Sequence, residues 1–163
     1  KVLVPSPSED ELTGILVATT GQPPEPPDAV LDREEVLSLR HACRDVAIAE
    51  PLLRYAARFV GASDPSHERA PELVKRALRY GAGVRGAQSL VLAAKAVALL
   101  AGRGNVGFDD IRRVAKPVLR HRLIRSFEGE ADGITTDAVI DALIAEVPAR
   151  PAEVEAALEK ATG

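Results

Sequence analysis

The order of apolar and polar positions along the chain reads as a succession of amphipathic helices punctuated by glycine and proline. Lys1 to Val4 is a short β-favouring run closed by Pro5, which predicts an edge or orphaned strand. "SEDE" then places Ser8 and Glu11 as a capping box, ahead of an apolar stripe at Leu12, Ile15, Leu16 and Thr19 that Gly21 ends. "GQPPEPPD" carries proline at every position from Pro23 to Pro27 except Glu25 and predicts an extended connector. Asp32 with Glu35 repeats the capping logic for a helix to about Arg44. "VAI" at 46–48 predicts an extended piece, and Leu52, Leu53, Tyr55, Ala56 and Phe59 stand at helical spacing between Pro51 and Val60.

Beyond the polar loop "GASDPSHERAP", Pro71 opens a short helix over "ELVKRALRY", with Gly81 as its C′ residue. "GAGVRGAQSLVLAAKAVALL", residues 81–100, is apolar nearly all round and predicts a central helix packed on several sides. Its expected core positions are Leu90, Val91, Ala94, Val97 and Ala98, met by helices around Leu37, Leu53 and Val114. Asp109 starts another helix through Ile111, Val114 and Ala115, which Pro117 ends or kinks. "HRLI" reads as a short strand, and "TTDAVIDALIAEV" as a last helix capped by Thr135 or Thr136. A helical pattern, "AEVEAALEKA", follows Pro148. The expected fold is mostly α, a small helical bundle with one or two short extended segments.

Composition agrees with a single helical core: 163 residues, 46% hydrophobic and only 3% aromatic, rich in Ala, Val and Leu. The formal charge of -3 argues against general nucleic-acid affinity. Cys43 is the only cysteine, so no intramolecular disulfide framework exists, which fits a reducing compartment. The most apolar stretch is interrupted by Arg85, Gln88 and Lys95, and no signal pattern opens the chain, so the expectation is a cytoplasmic protein with no membrane partner. A chain without methionine that opens on "KVLVP" looks like a piece of a longer protein.

Candidate chemistry is sparse. "GRGNVG", residues 102–107, has the spacing of a dinucleotide fingerprint but follows a helix, so Gly102 reads as a helix cap and Gly104 as part of a turn. There is no GxxxxGK[ST] loop, so the chain by itself is not expected to hydrolyse nucleotide. His41 and Cys43 point to different helix faces, His67 and His121 are isolated, and no metal site is expected. From Arg112 to Arg125 come Arg112, Arg113, Lys116, Arg120, Arg122 and Arg125 with no acidic residue between them. This run reads as a solvated face, as a subunit interface, or as the surface of a helical nucleic-acid-binding or protein-adaptor module, in that order. Arg85 is the position that stands out. A cation at a helix N-terminus opposes the helix dipole, unless an anion is to be held between the guanidinium and the free N–H groups.

The stretches "VLVPSPSEDEL", "VLDREEVLSLR", "VAIAEPLLRYAARFV", "RYGAGVRGAQSLVLAAKAVALLAGR" and "DDIRRVAKPVLRHRL" together resemble the helical lid of the MoxR branch of AAA+ ATPases. The resemblance implies that residues 1–7 are the remnant of a preceding ATPase core strand, that 8–147 form the lid with a Pro-rich connector at 21–31, and that 148–163 are a C-terminal tail. It makes "GAGVRGAQ" similar to the family's "GASPRA" turn, with Arg85 at the sensor-2 position that reaches the γ-phosphate of ATP and Gly83 and Val84 where the family has Ser-Pro. It also implies ATP and Mg2+ as cofactors of the longer parent, with none held by the fragment alone. The partners it implies are the parent's own ATPase core, neighbouring subunits of a ring, and proteins bearing a von Willebrand factor A domain. Members are associated with chaperone-like maturation of partner proteins.

Overall fold

The computed structural model describes residues 1–22 and 25–149, so part of the Pro-rich connector and the tail helix expected after Pro148 lie outside the described residues. The chain divides into two compact units, Val2–Arg40 and a larger one that runs from His41 and takes in Lys1. The smaller unit holds helix α1 (Glu9–Thr20) and most of α2 (Arg33–Asp45). Both begin on reciprocal caps. Ser8 N–H donates to Glu11 Oε2 at 2.8 Å while Ser8 Oγ accepts from Glu11 N–H at 3.3 Å. Asp32 and Glu35 exchange the same pair of bonds at 2.8 Å each. Every described residue from Val2 to Arg40 is exposed, including the apolar stripe of α1 and Leu37 of α2. Leu37, which the sequence places among the neighbours of the core, is exposed.

The larger unit comprises α3 (Glu50–Gly61), α4 (Glu72–Ala77), β1 (Leu78–Tyr80), α5 (Gly83–Leu100), α6 (Phe108–Leu119), β2 (Ile124–Arg125), α7 (Phe127–Ala131) and α8 (Thr136–Glu146). Helix α5 packs on α3 and α6. Leu90, Ala94 and Ala98 recur every four residues along one face and are fully buried, as are Ile111, Ala115 and Leu119 of α6. Two alanines in that row let the helix axes approach closely. Val91 and Val97 are half-buried, and Val84, Leu92 and Leu100 are exposed, so α5 is covered on two sides and not all round. By length and composition alone α5 could cross a membrane, yet here its polar-free face is the core of the bundle. Tyr55, Phe59 and Phe108 meet edge to face, at centroid distances of 5.9 Å and 5.5 Å from Tyr55, and tie α3 to the start of α6.

Four elements differ from the sequence expectation. The helix over "ELVKRALRY" stops at Ala77, because Leu78–Tyr80 pairs antiparallel with β2, Leu78 opposite Arg125 and Tyr80 opposite Ile124. Gly81 thus follows a strand instead of capping a helix. The second strand falls at Ile124–Arg125, later than "HRLI" suggests, and leaves Leu123 buried. Helix α6 runs through Pro117 to Leu119, since a proline in the last turn forfeits only one helical bond. Helix α7 was not anticipated. Ser126 Oγ caps it by accepting from Gly129 N–H at 3.0 Å and donates to Arg76 O at 2.6 Å, docking the helix across the end of α4. A side chain at Gly129 would run into the backbone of Ala77, so only glycine permits that approach. The extended piece after α2 is present: Ala47 N–H donates to Gly104 O at 2.9 Å and Val106 N–H to Ala47 O at 3.0 Å. Thr135 caps α8 through Ala138 N–H at 3.1 Å.

Candidate functional site

The turn that leads into α5 is built from beneath by Ser63, at the end of α3. Ser63 is fully buried; its hydroxyl donates to Val60 O at 2.6 Å and accepts from Ala82 N–H at 3.0 Å. This link sets the residue before α5 against the end of α3. Gly81 lies so close to the Ser63 backbone that a Cβ would fall 2.6 Å from Ser63 O. Gly83 takes φ +64, the left-handed region, with open space around it, so its requirement is conformational and not steric. Gly86 is buried; a Cβ there would lie 2.7 Å from Ala82 Cβ and 3.4 Å from Leu119 Cδ2, which brings the first turn of α5 down onto the end of α6.

Arg85 is the third residue of α5 and is exposed, as are Gly83 and Val84 before it. Among the described residues its guanidinium makes no hydrogen bond or ion pair. The first turn of α5 has no acidic residue, and Ala82 at its N-cap offers no side-chain acceptor. The first turn of α5 thus has no side-chain cap, and Arg85 within it is exposed; both offer donors of the kind that suits phosphate or carboxylate oxygens. Gly83 and Val84 border that end and offer backbone only.

The basic run is not a solvated face. Arg120 grips Asp137 with two bonds of 3.0 Å and 2.8 Å, and Lys116 meets Asp141 at 2.8 Å. Arg125 donates to Ile134 O at 3.2 Å and lies 3.6 Å from Glu130. Arg112 donates to Tyr55 Oη at 3.4 Å and lies 3.7 Å from Asp109; the bond to Tyr55 is the chief cause that raises the Arg112 pKa. Arg122 donates to Ser89 Oγ at 3.1 Å, which leaves Arg113 as the one member with no such contact among the described residues. Most of this charge is neutralised within the bundle, which removes the physical basis for a nucleic-acid surface.

"GRGNVG" is likewise structural. Gly102 has φ +70 at the end of α5, as a cap requires. Arg103 reaches across the loop to Asp110 with bonds of 2.8 Å and 2.6 Å, and Asp110 also accepts from Gly107 N–H at 2.7 Å. The Arg103 hydrogen bond holds the Asp110 carboxyl below the usual carboxylate range, with Gly107 N–H adding to it against the opposing effect of burial. Cys43 is half-buried, its thiol 3.7 Å from Leu92 O, and among the described residues no group of three or more His, Cys, Asp or Glu side chains is placed to hold a metal. An open groove of about 560 Å3 runs along the surface where α3 meets α5, lined by Arg44, Leu53, Ala57, Val91 and Leu92.

Arg85, Gly83 and Val84 stand out in the sequence as candidates; Ser63 does not, because it sits in an unpatterned polar loop. A second G-x-G-x-x-G, "GAGVRG" at 81–86, does follow a strand and open a helix. Its strand belongs to a two-stranded antiparallel sheet, so this is no βαβ unit, but its glycines serve a tight turn and close packing in the way that spacing allows.

Residues 70–143 match the AAA lid domain family. Chaperone MoxR1 of Mycobacterium tuberculosis is 29% identical over 144 residues, covering 88% of this chain and 38% of that protein. Protein MoxR of Paracoccus denitrificans is 41% identical over 75 residues, covering 45% of this chain and 22% of that protein. A crystal structure of a candidate ATPase from Cytophaga hutchinsonii superposes with a TM-score of 0.75 at 27% identity, over 89% of this chain and 44% of that one. The chain thus spans less than half the length of these relatives. Fold and these relatives point the same way: residues 70–143 match the AAA lid domain family, in a chain similar over most of its length to a MoxR chaperone.

Proposed function

We propose that this chain is the lid of a MoxR-type AAA+ ATPase and that Arg85 is its sensor-2 arginine, which meets the γ-phosphate of ATP held on a nucleotide-binding core. One observation carries the reading: Arg85 is exposed and, among the described residues, unpartnered at the start of α5, on a helix end with no acidic residue and no side-chain cap. An arginine kept for the bundle's own stability would be expected to make the kind of carboxylate pair that Arg120 makes with Asp137. Arg85 instead offers a preorganised charge to a ligand brought by another domain.

In this account the core supplies the P-loop and the Mg2+ ligands, and the lid contributes Arg85 with the backbone of Gly83 and Val84. The lid moves as nucleotide is bound, hydrolysed and released, and that movement is passed to neighbouring subunits of a ring. The ring acts in the cytoplasm in chaperone-like maturation of partner proteins, among them proteins bearing a von Willebrand factor A domain. The nucleic-acid alternative is not favoured, because the cations from Arg112 to Arg125 are largely paired within the bundle. The experiment is steady-state ATP turnover by the longer chain that joins this lid to its core. Arg85→Ala is expected to lower it by about one to three orders of magnitude, as loss of one preorganised donor does. Unchanged turnover would return Arg85 to an ordinary surface arginine.

A further inference from the structure

Within the run from Arg112 to Arg125 the cations on either side of Arg122 have carboxylate partners: Lys116 and Arg120 before it, on Asp141 and Asp137, and Arg125 after it, beside Glu130. Arg122 has none. It turns instead toward the first two turns of α5, where Nη2 donates to the neutral Ser89 Oγ at 3.1 Å. Its stem passes Gly86, where a Cβ would stand 3.8 Å from Arg122 Cδ. Its Nε is shut away from solvent with no acceptor among the described residues.

Ser89 is four residues beyond Arg85, so the two share one face of α5 and their Cβ atoms lie about 6 Å apart. Anchored on Ser89, the Arg122 guanidinium is thereby brought to the face that carries Arg85, at the helix end whose dipole is positive. Helix α5 has no acidic residue in its whole length. Two like charges and a helix N-terminus converge with no anion among the described residues, which is repulsive as it stands and becomes favourable when an anion arrives. The glycines of "GAGVRG" serve the same arrangement: Gly83 makes the open turn, and Gly86 lets the end of α6 and the Arg122 stem lie against α5.

We propose that Arg122 is a second polyphosphate-binding arginine, gripping the phosphate chain of a nucleoside triphosphate beside Arg85 while Ser89 holds its fork in place. This rests on the reading that the start of α5 faces ATP. Arg85, which is exposed, is the outer contact; Arg122, whose stem is packed, is the inner one, and its Nη1, which has no hydrogen bond among the described residues and is not buried, is the donor the ligand meets.

The test is calorimetric MgATP affinity and steady-state turnover in the longer chain joining core and lid, for Arg122→Gln, Arg122→Lys and Arg85→Ala, with a thermal melt of each. Arg122→Gln is expected to weaken MgATP binding about ten- to hundredfold, the scale of a lost hydrogen bond to a charged group, at an unchanged melting temperature. Arg122→Lys should recover part of that loss, and Arg122→Gln combined with Arg85→Ala should cost less than the product of the two, because both act on one ligand. Unchanged affinity in Arg122→Gln would overturn the proposal. So would an affinity loss that Arg122→Lys shares in full together with a lowered melting temperature, since Arg122 would then be structural. If Arg85→Ala slows turnover while Arg122→Gln does not alter binding, only the Arg122 assignment falls; if Arg85→Ala leaves turnover unchanged, the sensor-2 reading falls and this assignment with it.

Discussion

Replacing Ser63 by alanine isolates the link that carries the α5 turn. The hydroxyl joins two backbone groups, Val60 O at 2.6 Å and Ala82 N–H at 3.0 Å. Val60 O keeps a second donor, the Ser63 N–H at 3.1 Å, so Ser63→Ala leaves the carbonyl satisfied. Ala82 N–H is the group left orphaned, in a residue only 8% exposed. An unsatisfied buried donor costs about 1–3 kcal/mol, and the small cavity left by one oxygen adds little. With a urea slope of about 1–2 kcal/mol per molar for a small domain, the unfolding midpoint should fall by about 0.5–3 M. Far-UV circular dichroism reads that midpoint, and hydrogen exchange at the Ala82 amide reads the lost bond directly. In the chain joined to its core the response to nucleotide should also weaken although Arg85 is untouched, because the turn that presents it is looser. An unchanged midpoint together with unchanged protection of the Ala82 amide would refute the assignment of Ser63 as the support of the site.

Leu90→Ala empties a fully buried position between α5 and its neighbours and should destabilise by about 2–5 kcal/mol; a thermal melt matching the parent would mean that α5 is not the core helix. Asp110 has its folded pKa depressed chiefly by the Arg103 hydrogen bond, so the stability it contributes is present above the ordinary carboxylate pKa of about 4 and is lost as pH falls through the folded value. Asp110→Asn should therefore lower stability at neutral pH and flatten the acid limb of the stability profile, and an acid limb identical to the parent's would contradict the clamp.

What was legible in the sequence was local. Ser8 with Glu11, Asp32 with Glu35, and Thr135 signal helix starts within four residues of themselves, and each makes the cap its type predicts. Arg85 was legible for the same reason: a charge against a helix dipole is visible without knowing the fold. The strands were not, because three residues such as Leu78–Tyr80 are fixed by a partner more than forty positions away and carry too short a pattern to stand alone. Helix α7 exists by docking on α4 through Gly129 and Ser126, which no periodicity over five residues can announce. The basic run looked solvated because its carboxylates lie 17 and 25 residues downstream, on α8. Ser63 escaped notice since its partner, Ala82 N–H, is a backbone group 19 residues on.

The central claim is that Arg85 acts on the phosphate during hydrolysis and not on folding or assembly. Single-turnover hydrolysis of prebound ATP, in the chain joined to its core and with ring assembly confirmed for each variant, separates these most directly. The account predicts that Arg85→Ala assembles and binds ATP but cleaves it about ten- to a thousandfold more slowly, with Arg85→Lys intermediate because a point charge replaces the planar fork. A single-turnover rate equal to the parent's in an assembled, ATP-loaded Arg85→Ala ring would contradict it.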